Sequence, residues 1–292
     1  MTDKIAVIIL NYFGFNLTRS CVNSVLRELS ATIFIIDNSA SAIEAERLKT
    51  EFACNPHVHL SFPETNTGFA AGVNIGLETA VKNGYGKFFL LNNDAILTKG
   101  SGPFLTDAMT THPSTLIAPV IRWDDTESGF NYYHRYLGLI SSNETIVFKK
   151  GWLPYFTGCA LIFDRDVLER VGLLNQTFFM YGEDVEFCHR AVTKGVPLYQ
   201  IPRELIRHEG SNSARIASFF YEYHLNRSHF LLSFFLHKPA YSLMLSLCSK
   251  AVTLFARAVI RSIRYKTIAP VAAFFLCPFE FSIRPKGAPE SH

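Results

Sequence analysis

Three largely apolar runs, each followed at once by a polar cluster, constrain the fold of this chain more than any other feature. The runs are residues 5–10 (IAVIIL), 32–36 (TIFII) and 87–91 (KFFLL), and the clusters after them begin at Asn11, Asp37 and Asn92. Unbroken apolar runs of this kind are typical of strands that are buried on both faces of a parallel sheet. Because the carboxyl ends of parallel strands meet at one edge, the pattern predicts that the polar residues share a single site.

Helix-like segments separate these strands. Apolar residues recur at helical spacing over residues 17–29 and 43–52, a short strand is predicted over 58–62, and a Gly- and Asn-rich segment from residue 66 passes into a helix that ends near 82. Strands that alternate with helices predict βαβ units and an α/β fold.

The second half of the chain is less regular. The predicted strands are 116–121, 161–163 and 196–201, the predicted helices are 166–171 and 185–194, and residues 131–134 (NYYH) are predicted to form a tyrosine-rich loop.

Composition excludes several classes of protein. Hydrophobic residues make up 48% of the 292 and charged residues 18%, which excludes a disordered chain. None of the six cysteines forms a CxxC pair, so neither a zinc ribbon nor a thioredoxin-like site is expected, and scattered cysteines suit a reduced, cytosolic protein. The N-terminus does not have the pattern of a secretory signal peptide, so secretion is not expected.

Two segments are candidates for binding a nucleotide. The Asp37 carboxylate could accept hydrogen bonds from a base or ribose, although Asp37 and Asn38 would equally suit a turn and a helix N-cap. Gly68 and Gly72 would let a ligand approach the backbone at a helix N-terminus, which favours anions, or would allow tight helix–sheet packing. The spacing of these glycines is neither GxGxxG nor a Walker A loop, which disfavours both of those sites.

Two acidic clusters are candidates for chemistry. Asp94, in Asn92-Asn93-Asp94, could hold a hard divalent cation, and His208 could supply a further ligand. Glu183 and Asp184 precede a predicted helix, where acidic residues are favoured by the helix dipole but could also act as a general base with its orienting partner.

Six motifs, taken together and in this order, resemble family 2 glycosyltransferases with the GT-A fold, in particular the rhamnosyltransferase-like branch of bacterial polysaccharide enzymes. The resemblance covers about residues 4–230. The motifs are VIILNY, IIDNS, NTGFAAGVNIGL, LLNNDAIL, TGCALIFDRDVLERVGLLNQTFFMYGEDVEFCHRA and HEGSNS. The resemblance implies a Rossmann-like, mostly parallel sheet that is flanked by helices.

The resemblance also implies roles for individual residues. Asp184 matches the catalytic base, with Glu183 beside it, in a single displacement that inverts the anomeric carbon. Asp94 matches the retained carboxylate of the Asp-x-Asp motif that holds Mg²⁺ or Mn²⁺, Asn92 replaces the first Asp of that motif, and His208 matches a metal or diphosphate contact. The residues assigned to the donor nucleotide are Asn11, Asp37, Asn38, Asn66, Gly68, Gly72, Asn74, Asn92 and Asn93.

The implied substrates are a nucleotide-sugar donor, with dTDP-rhamnose as the first choice and UDP-hexose as another, and a polyprenyl-diphosphate-linked glycan acceptor. The implied process is the synthesis of O-antigen, capsule or another cell-surface polysaccharide. Trp152, Tyr155 and Phe156 precede Thr157 and fall where the family approaches its acceptor, although aromatic clusters are more often core.

A change in charge marks the C-terminal part of the chain. Residues 1–226 hold 19 basic and 23 acidic residues, whereas residues 227–286 hold nine basic residues and one acid. We therefore predict a GT-A domain at 1–227 and a basic, apolar helical tail at 228–292. A polar stripe recurs at helical spacing and predicts an amphipathic helix; its members are Ser242, Ser246, Lys250, Thr253, Arg257, Arg261 and Arg264.

A wide apolar face with positive charge favours a helix that lies on anionic lipid at the cytoplasmic face of the bacterial inner membrane. Packing on the catalytic core or in a homodimer is the alternative. Nucleic acid is not expected as a partner, because the body is acidic and the tail is apolar.

Two other functions are weighed against a glycosyltransferase. A nucleotidyltransferase would need a Gly-rich loop with Arg or Lys near the start, which Asn11-Tyr12-Phe13-Gly14 does not provide. A non-catalytic protein that binds sugar nucleotides or glycans is disfavoured by the presence of Asp94 and Asp184.

Overall fold

The computed structural model describes residues 4–123, 126–142, 150–208 and 217–277. The helices of these residues are α1 (Phe15–Glu28), α2 (Ala42–Phe52), α3 (Phe69–Lys82), α4 (Gly102–Thr111), α5 (Arg165–Val171), α6 (Glu183–Thr193), α7 (Phe219–Leu236), α8 (Ala240–Tyr265) and α9 (Ala269–Leu276). The strands are β1 (Ile5–Asn11), β2 (Ala31–Asp37), β3 (Val58–Ser61), β4 (Lys87–Asn92), β5 (Ala95–Leu97), β6 (Leu116–Trp123), β7 (Thr126–Ser128), β8 (Asn131–His134), β9 (Ile140–Ser141), β10 (Trp152–Tyr155), β11 (Ala160–Asp164) and β12 (Leu198–His208).

A mixed sheet runs through the molecule in the order β3-β2-β1-β4-β11-β6-β12-β5, and β7 pairs with β6. The four strands of the first half are parallel, and β6 is parallel to β12. The antiparallel strand β11 lies between β4 and β6 and joins the two parallel groups. The α/β fold predicted from the sequence is confirmed, with helices on both faces and a helical C-terminal part.

Hydrophobic packing on both faces explains why the first strands are continuously apolar. Along β1, Ala6 and Ile8 pack with α3, α5, α6 and part of α7, whereas Val7 and Ile9 pack with α1, α2 and α4. Each side chain of such a strand therefore loses contact with water, which is the main favourable contribution to folding.

A second sheet contradicts the predicted tyrosine-rich loop. Residues 131–134 form strand β8, which pairs with β10 and β9 in a three-stranded antiparallel sheet. Aromatic residues favour strands when they have a surface to pack on, and here Tyr133 is fully buried. Its hydroxyl forms a hydrogen bond of 3.0 Å with Nδ1 of His229 on α7, a contact 96 residues away that local sequence does not reveal.

The C-terminal helices pack on this second sheet and on one another. α7 crosses the predicted domain boundary between residues 227 and 228. α8 is the predicted amphipathic helix, but its orientation differs from the expectation, because the polar stripe faces the protein. Ser246 and Lys250 are fully buried, and Arg261 is paired with Glu222 of α7.

Among the described residues, α8 is also the single helix that is long and apolar enough to cross a membrane.

Candidate active site

The predicted polar edge exists at the carboxyl ends of β1, β2 and β4. Asn11 is opposite Asp37 in the β1–β2 pairing, and Leu10 is opposite Asn92 in the β1–β4 pairing. The parallel register therefore brings together three residues that the sequence separates by up to 81 positions.

Asn11 connects two buried carboxylates beneath this edge. Its Nδ2 donates hydrogen bonds to Oδ1 of Asp37 at 2.9 Å and to Oε1 of Glu44 at 3.1 Å, and its Oδ1 accepts one from Thr18 at 2.7 Å. Asp37 also accepts a hydrogen bond of 2.9 Å from the Ser39 hydroxyl. Asn11 and Asp37 are 0% and 2% exposed, so in this structure their polar atoms mainly hold the strand ends and the loop after β2 in place.

Asn38 fixes the loop that precedes α3. Its Nδ2 donates to the side chain of Asn66 at 2.9 Å and to the carbonyl of Gly68 at 3.0 Å, and its Oδ1 accepts from Thr67. Asn66 in turn accepts a hydrogen bond from the Gly68 N–H and stays partly exposed at the loop surface. The loop is thus held in one conformation by the buried amide of Asn38 and the partly exposed amide of Asn66.

Packing within the protein requires both glycines of this segment, Gly68 before α3 and Gly72 in the first turn of α3. Gly68 has a φ of +81°, and a Cβ at this position would lie 2.5 Å from the carbonyl oxygen of Phe179. A Cβ on Gly72 would lie 2.4 Å from the Leu10 side chain. Close packing against β1 and against the segment before α6 is enough to require these glycines, and the approach of a ligand to them stays a prediction.

Asn74 has a structural role in α3. Its Nδ2 donates to the carbonyl of Leu174 at 2.8 Å and its Oδ1 accepts from the Leu174 N–H at 3.0 Å. The side chain is 1% exposed. Because its amide is engaged at both ends by backbone, Asn74 holds α3 against the segment between α5 and α6 in this structure, and its contact with the nucleotide stays a prediction.

The two residues predicted to hold a metal ion lie side by side. Asp94 follows β4 and His208 ends β12, and Oδ1 of Asp94 is 3.0 Å from Nε2 of His208. Both side chains are almost fully buried. The His208 ring stacks on Trp123, with ring centroids 3.7 Å apart and an angle of 23° between the planes. The remainder of the predicted HEGSNS motif, residues 209–213, lies outside the described residues.

This pair fits part of a metal site. A carboxylate oxygen and an imidazole nitrogen that converge on one point are ligands that Mn²⁺ accepts, whereas Mg²⁺ prefers oxygen ligands alone. Across the described residues, no cluster of three or more His, Cys, Asp or Glu residues could enclose a metal by itself. The protein would thus supply two ligands, and the remaining positions would be left for water and diphosphate oxygens.

The neighbouring asparagines border the same point. The Asn93 side chain donates to the Thr18 hydroxyl at 3.1 Å, and the backbone N–H of Asn92 donates to the Cys159 carbonyl at 2.9 Å. The side chains of Asn92 and Asn93, the two residues before Asp94 in the chain, are partly exposed.

Asp184 and Glu183 open α6, immediately after Tyr181 and Gly182, two residues with positive φ. Asp184 is half-buried, and its Oδ2 accepts a hydrogen bond of 3.1 Å from the Gly158 N–H. Its Oδ1 accepts from the Val185 N–H at 2.8 Å. These two bonds fix the orientation of the carboxylate while part of the side chain remains accessible.

Burial raises the pKa of both carboxyls. Loss of solvation is the main cause for each. The charge of Asp184 contributes further to Glu183, whose pKa rises to about 8. For Asp184, the hydrogen bonds from Gly158 and Val185 act in the opposite direction. Both carboxyls therefore hold a proton to higher pH than an exposed carboxyl does.

The aromatic residues before Thr157 are mainly core. Tyr155 is 6% exposed and Phe156 is fully buried. Trp152 is half-buried and contacts His134 edge-on, with ring centroids 5.0 Å apart. The structure thus favours packing for Tyr155 and Phe156 and leaves Trp152 as the partly accessible member.

Sequence analysis missed Trp123 and Glu44. Trp123 could have been noticed as an extension of the predicted strand beyond residue 121, since the parallel partner strand ends at His208. Glu44 lies in the first turn of α2, where an acidic residue is usual, so its buried contact with Asn11 gives no local signal.

Comparisons with known proteins add an independent line of evidence. The family described as Glycosyl transferase family 2 matches residues 6–172, more than half of the chain. The sequence is 24% identical over 246 residues to the low-salt glycan biosynthesis hexosyltransferase Agl10 of Haloferax volcanii, covering 80% of this chain and 76% of that protein. It is 22% identical over 221 residues to the dTDP-rhamnosyl transferase RfbF of Shigella flexneri, covering 74% and 73%.

The fold has solved counterparts. The mannosyltransferase PcManGT of Pyrobaculum calidifontis, solved in complex with GDP-Man and Mn²⁺, superposes with a TM-score of 0.55 at 13% identity, covering 95% of this chain and 86% of that one. At this identity the likeness concerns the fold alone.

Proposed function

Because the chain belongs to glycosyl transferase family 2, we propose that it is an inverting enzyme that transfers one sugar from a nucleotide-sugar donor to a hydroxyl group of a lipid-linked glycan. The chain is a nucleotide-sugar glycosyltransferase by family. The inverting mechanism, the donor and the acceptor are the parts that we propose.

One structural relationship carries the proposal. The segment that holds Asp184 through the Gly158 N–H is the same segment whose Cys159 carbonyl accepts from the Asn92 N–H. The proposed base is therefore tied, through two consecutive residues, to the strand end that bears Asn92, Asn93 and Asp94. A base and a diphosphate-binding edge that belong to one rigid framework are what a single displacement requires.

In the proposed step, the acceptor oxygen attacks the anomeric carbon and its proton passes to the Asp184 carboxylate. The bond between the anomeric carbon and the diphosphate oxygen breaks, and the nucleoside diphosphate leaves with the electron pair. Attack from the face opposite the leaving group inverts the configuration. A correctly placed general base contributes typically about 10²–10⁴-fold to the rate.

Asp94 and His208 would hold the divalent cation. When bound, Mn²⁺ or Mg²⁺ would neutralise charge on the diphosphate. The neutral side chains of Asn92 and Asn93 would border the diphosphate without repelling it. Asn11, Asp37, Asn38, Asn66, Gly68 and Gly72 would shape the nucleotide side, mainly by fixing the loops around it.

Glu183 would assist Asp184 as a neutral acid. Its buried Oε2 has no hydrogen-bond partner among the residues that the structure describes. If Glu183 stays protonated, the Asp184 carboxylate does not have a second negative charge beside it, which leaves it free to take the acceptor proton.

The proposed donor is dTDP-rhamnose, with UDP-hexose as the second choice. The likeness to a dTDP-rhamnosyl transferase and to a hexosyltransferase of glycan synthesis supports this range. The proposed acceptor is a polyprenyl-diphosphate-linked glycan of O-antigen, capsule or other surface polysaccharide synthesis. We accordingly propose a cytoplasmic location on the inner membrane, a catalytic domain at 1–227 and a membrane-associating part at 228–292.

A donor screen on the full-length protein tests the proposed activity. Release of nucleoside diphosphate is measured with dTDP-rhamnose, UDP-hexoses, UDP-N-acetylhexosamines and GDP-mannose, in Mn²⁺, Mg²⁺ or EDTA. One donor should be turned over, and Asp184→Asn should lower turnover by about 10²–10⁴-fold while the donor still raises the melting temperature. Asp107→Asn, on the exposed side of α4, is the matched control.

The outcomes separate the alternatives. Near-normal turnover by Asp184→Asn would remove the proposed base. A donor that binds but is not transferred to any lipid-linked acceptor by the wild type would favour a non-catalytic binding protein, and binding of nucleoside triphosphates alone would favour a nucleotidyltransferase.

A further inference from the structure

The outward face of α8 is a continuous apolar strip. Exposed residues recur every three or four positions along the 26-residue helix, a length of about 39 Å, at Tyr241, Leu245, Cys248, Val252, Ala256, Ile260 and Ile263. The large apolar residues of this strip are Tyr241, Met244, Leu245, Val252, Phe255, Ile260 and Ile263. Phe255 contacts Phe275 of α9, with ring centroids 5.8 Å apart, so the exposed apolar surface continues onto the next helix.

Three of the four basic residues of α8 turn away from this strip: Lys250, Arg257 and Arg261. Lys250 donates hydrogen bonds to the His229 carbonyl at 2.8 Å and to the Ser233 hydroxyl at 2.9 Å, both on α7. Arg261 donates to Glu222 at 2.7 Å, and Arg257 is 3.9 Å from the same carboxylate. These cations are therefore used inside the protein and cannot be the residues that attract a lipid surface.

Exposed cations lie only at the two ends of the strip. Lys238 precedes α8, and Arg264 and Lys266 end it. Every exposed residue between Lys238 and Arg264 is uncharged. The outward surface is thus apolar along its length and positive at its ends.

We propose that α8 lies in the plane of a phospholipid bilayer, with the apolar strip buried at the boundary between headgroups and acyl chains and the terminal cations among anionic headgroups. This placement would bring the catalytic domain to a lipid-linked acceptor, and in that respect it rests on the proposed function. The bilayer, rather than a second copy of the chain, is the occupant because the strip offers a protein partner almost no polar group to pair with.

A spanning orientation does not fit the contacts of α8. Its inward face is attached to α7 and to the second sheet through Lys250, Arg261 and the Thr253 hydroxyl, which donates to the Leu137 carbonyl at 2.8 Å. A helix that crossed the membrane would have to break these contacts or carry α7 and the sheet into the hydrocarbon.

Vesicle flotation of the full-length protein tests the proposal. The probe vesicles are phosphatidylcholine alone and phosphatidylcholine with phosphatidylglycerol, in about 0.1 M and about 1 M NaCl, between which the Debye length falls from roughly 10 Å to about 3 Å. Wild type should float with both vesicles and should keep most of its binding at high salt, because apolar burial is the main driving force.

A matched pair of substitutions tests whether the apolar strip of α8 is the surface that binds vesicles. Ile263→Glu and Ile43→Glu place the same charge on a helix at positions that are 74% and 75% exposed. Ile263→Glu, and separately Val252→Glu, should lower the vesicle partition coefficient by at least about tenfold, whereas Ile43→Glu should leave it within about twofold of wild type. Circular dichroism of each variant checks that the fold is kept.

The inference would be overturned if the wild type did not float, if Ile263→Glu and Ile43→Glu floated equally, or if all binding were lost at high salt. It would also be overturned if the wild type were a dimer that bound no vesicles and Ile263→Glu were a monomer. Nucleotide-sugar binding is measured on the same samples. Flotation without donor binding would overturn the proposed transferase activity and leave the membrane placement, whereas donor binding without flotation would overturn this inference and the proposed membrane location and leave the transferase activity.

Discussion

Oδ1 of Asp94 and Nε2 of His208 lie 3.0 Å apart, although the two residues are separated by 114 positions in the sequence. The pairing of β5 with β12, in which Ala95 is opposite His208, brings them together. Two potential ligands of different chemistry thus converge where β4 ends.

We expect Asp94→Asn to lower the affinity for Mn²⁺ by at least about 100-fold, because the substitution removes the single carboxylate of the pair. Titration of free Mn²⁺ by electron paramagnetic resonance, with the nucleoside diphosphate present, measures this affinity. Asp107→Asn on α4 is the control for loss of one negative charge. Unchanged Mn²⁺ affinity in Asp94→Asn would contradict the assignment.

Trp123 is expected to act as a positioning residue for His208. Its ring stacks on the imidazole and restricts the directions in which Nε2 can point. Trp123→Leu should weaken Mn²⁺ binding by about tenfold, and Trp123→Phe, which keeps an aromatic face, should restore most of it.

The intrinsic fluorescence of the wild type should also change during the Mn²⁺ titration, and this change should disappear in Trp123→Phe but persist in Trp152→Phe. The same Mn²⁺ affinity in the leucine and phenylalanine variants would show that the stacking does not matter.

Glu183 should make the stability of the protein depend on pH. Its pKa in the folded state, about 8, is higher than its ordinary value of 4.5, so the folded state binds more protons than the unfolded state between these values. The free energy of unfolding should therefore fall by about 1.4 kcal/mol for each unit of rising pH in this window. Glu183→Gln should remove that contribution.

Urea denaturation between pH 5 and pH 9, compared among wild type, Glu183→Gln and the exposed-site control Glu78→Gln, isolates the effect. Parallel curves for wild type and Glu183→Gln would mean that Glu183 is ionised in the folded protein across the whole range.

Lys250 should make the free energy of unfolding rise with pH, which is opposite to the effect of Glu183. Burial lowers its pKa from 10.5 to about 7, with a smaller contribution from the positive charge of Arg135. Between these values the unfolded state binds the proton and the folded state does not, so stability should rise by about 1.4 kcal/mol per pH unit. Lys250→Met should abolish this rise, whereas Lys82→Met, at an exposed position on α3, should preserve it. A Lys250→Met curve that keeps the slope would refute this assignment.

The sequence was sufficient for the order of helices and strands from β1 to β4 and for the polar edge at Asn11, Asp37 and Asn92, whereas β5 and α4 were not predicted. Strands buried on both faces leave a strong local signal, because every position must be apolar, and parallel pairing fixes where their ends meet. The pairing of Asp94 with His208 was anticipated from resemblance, and the register of β5 and β12 accounts for it.

Tertiary contacts decided the roles that sequence analysis assigned differently. Gly68 is required by the carbonyl of Phe179, and Asn74 by the backbone of Leu174, which lies 100 residues away. The tyrosine-rich segment became strand β8 because His229 and its neighbours on α7 provided a buried surface for Tyr133. None of these partners is visible in the local sequence.

Helix α8 shows most clearly what the sequence determines and what the tertiary structure determines. Its periodicity established by itself that Lys250, Arg257 and Arg261 share one face and that Val252 and Ile263 share another. Periodicity cannot decide which face meets the protein, because that choice depends on partners elsewhere in the chain. The Glu222 carboxylate and the His229 carbonyl on α7 provide buried partners for Arg261 and Lys250. These partners offset the free-energy cost of burying polar groups, so the basic face lies inward and the apolar face outward.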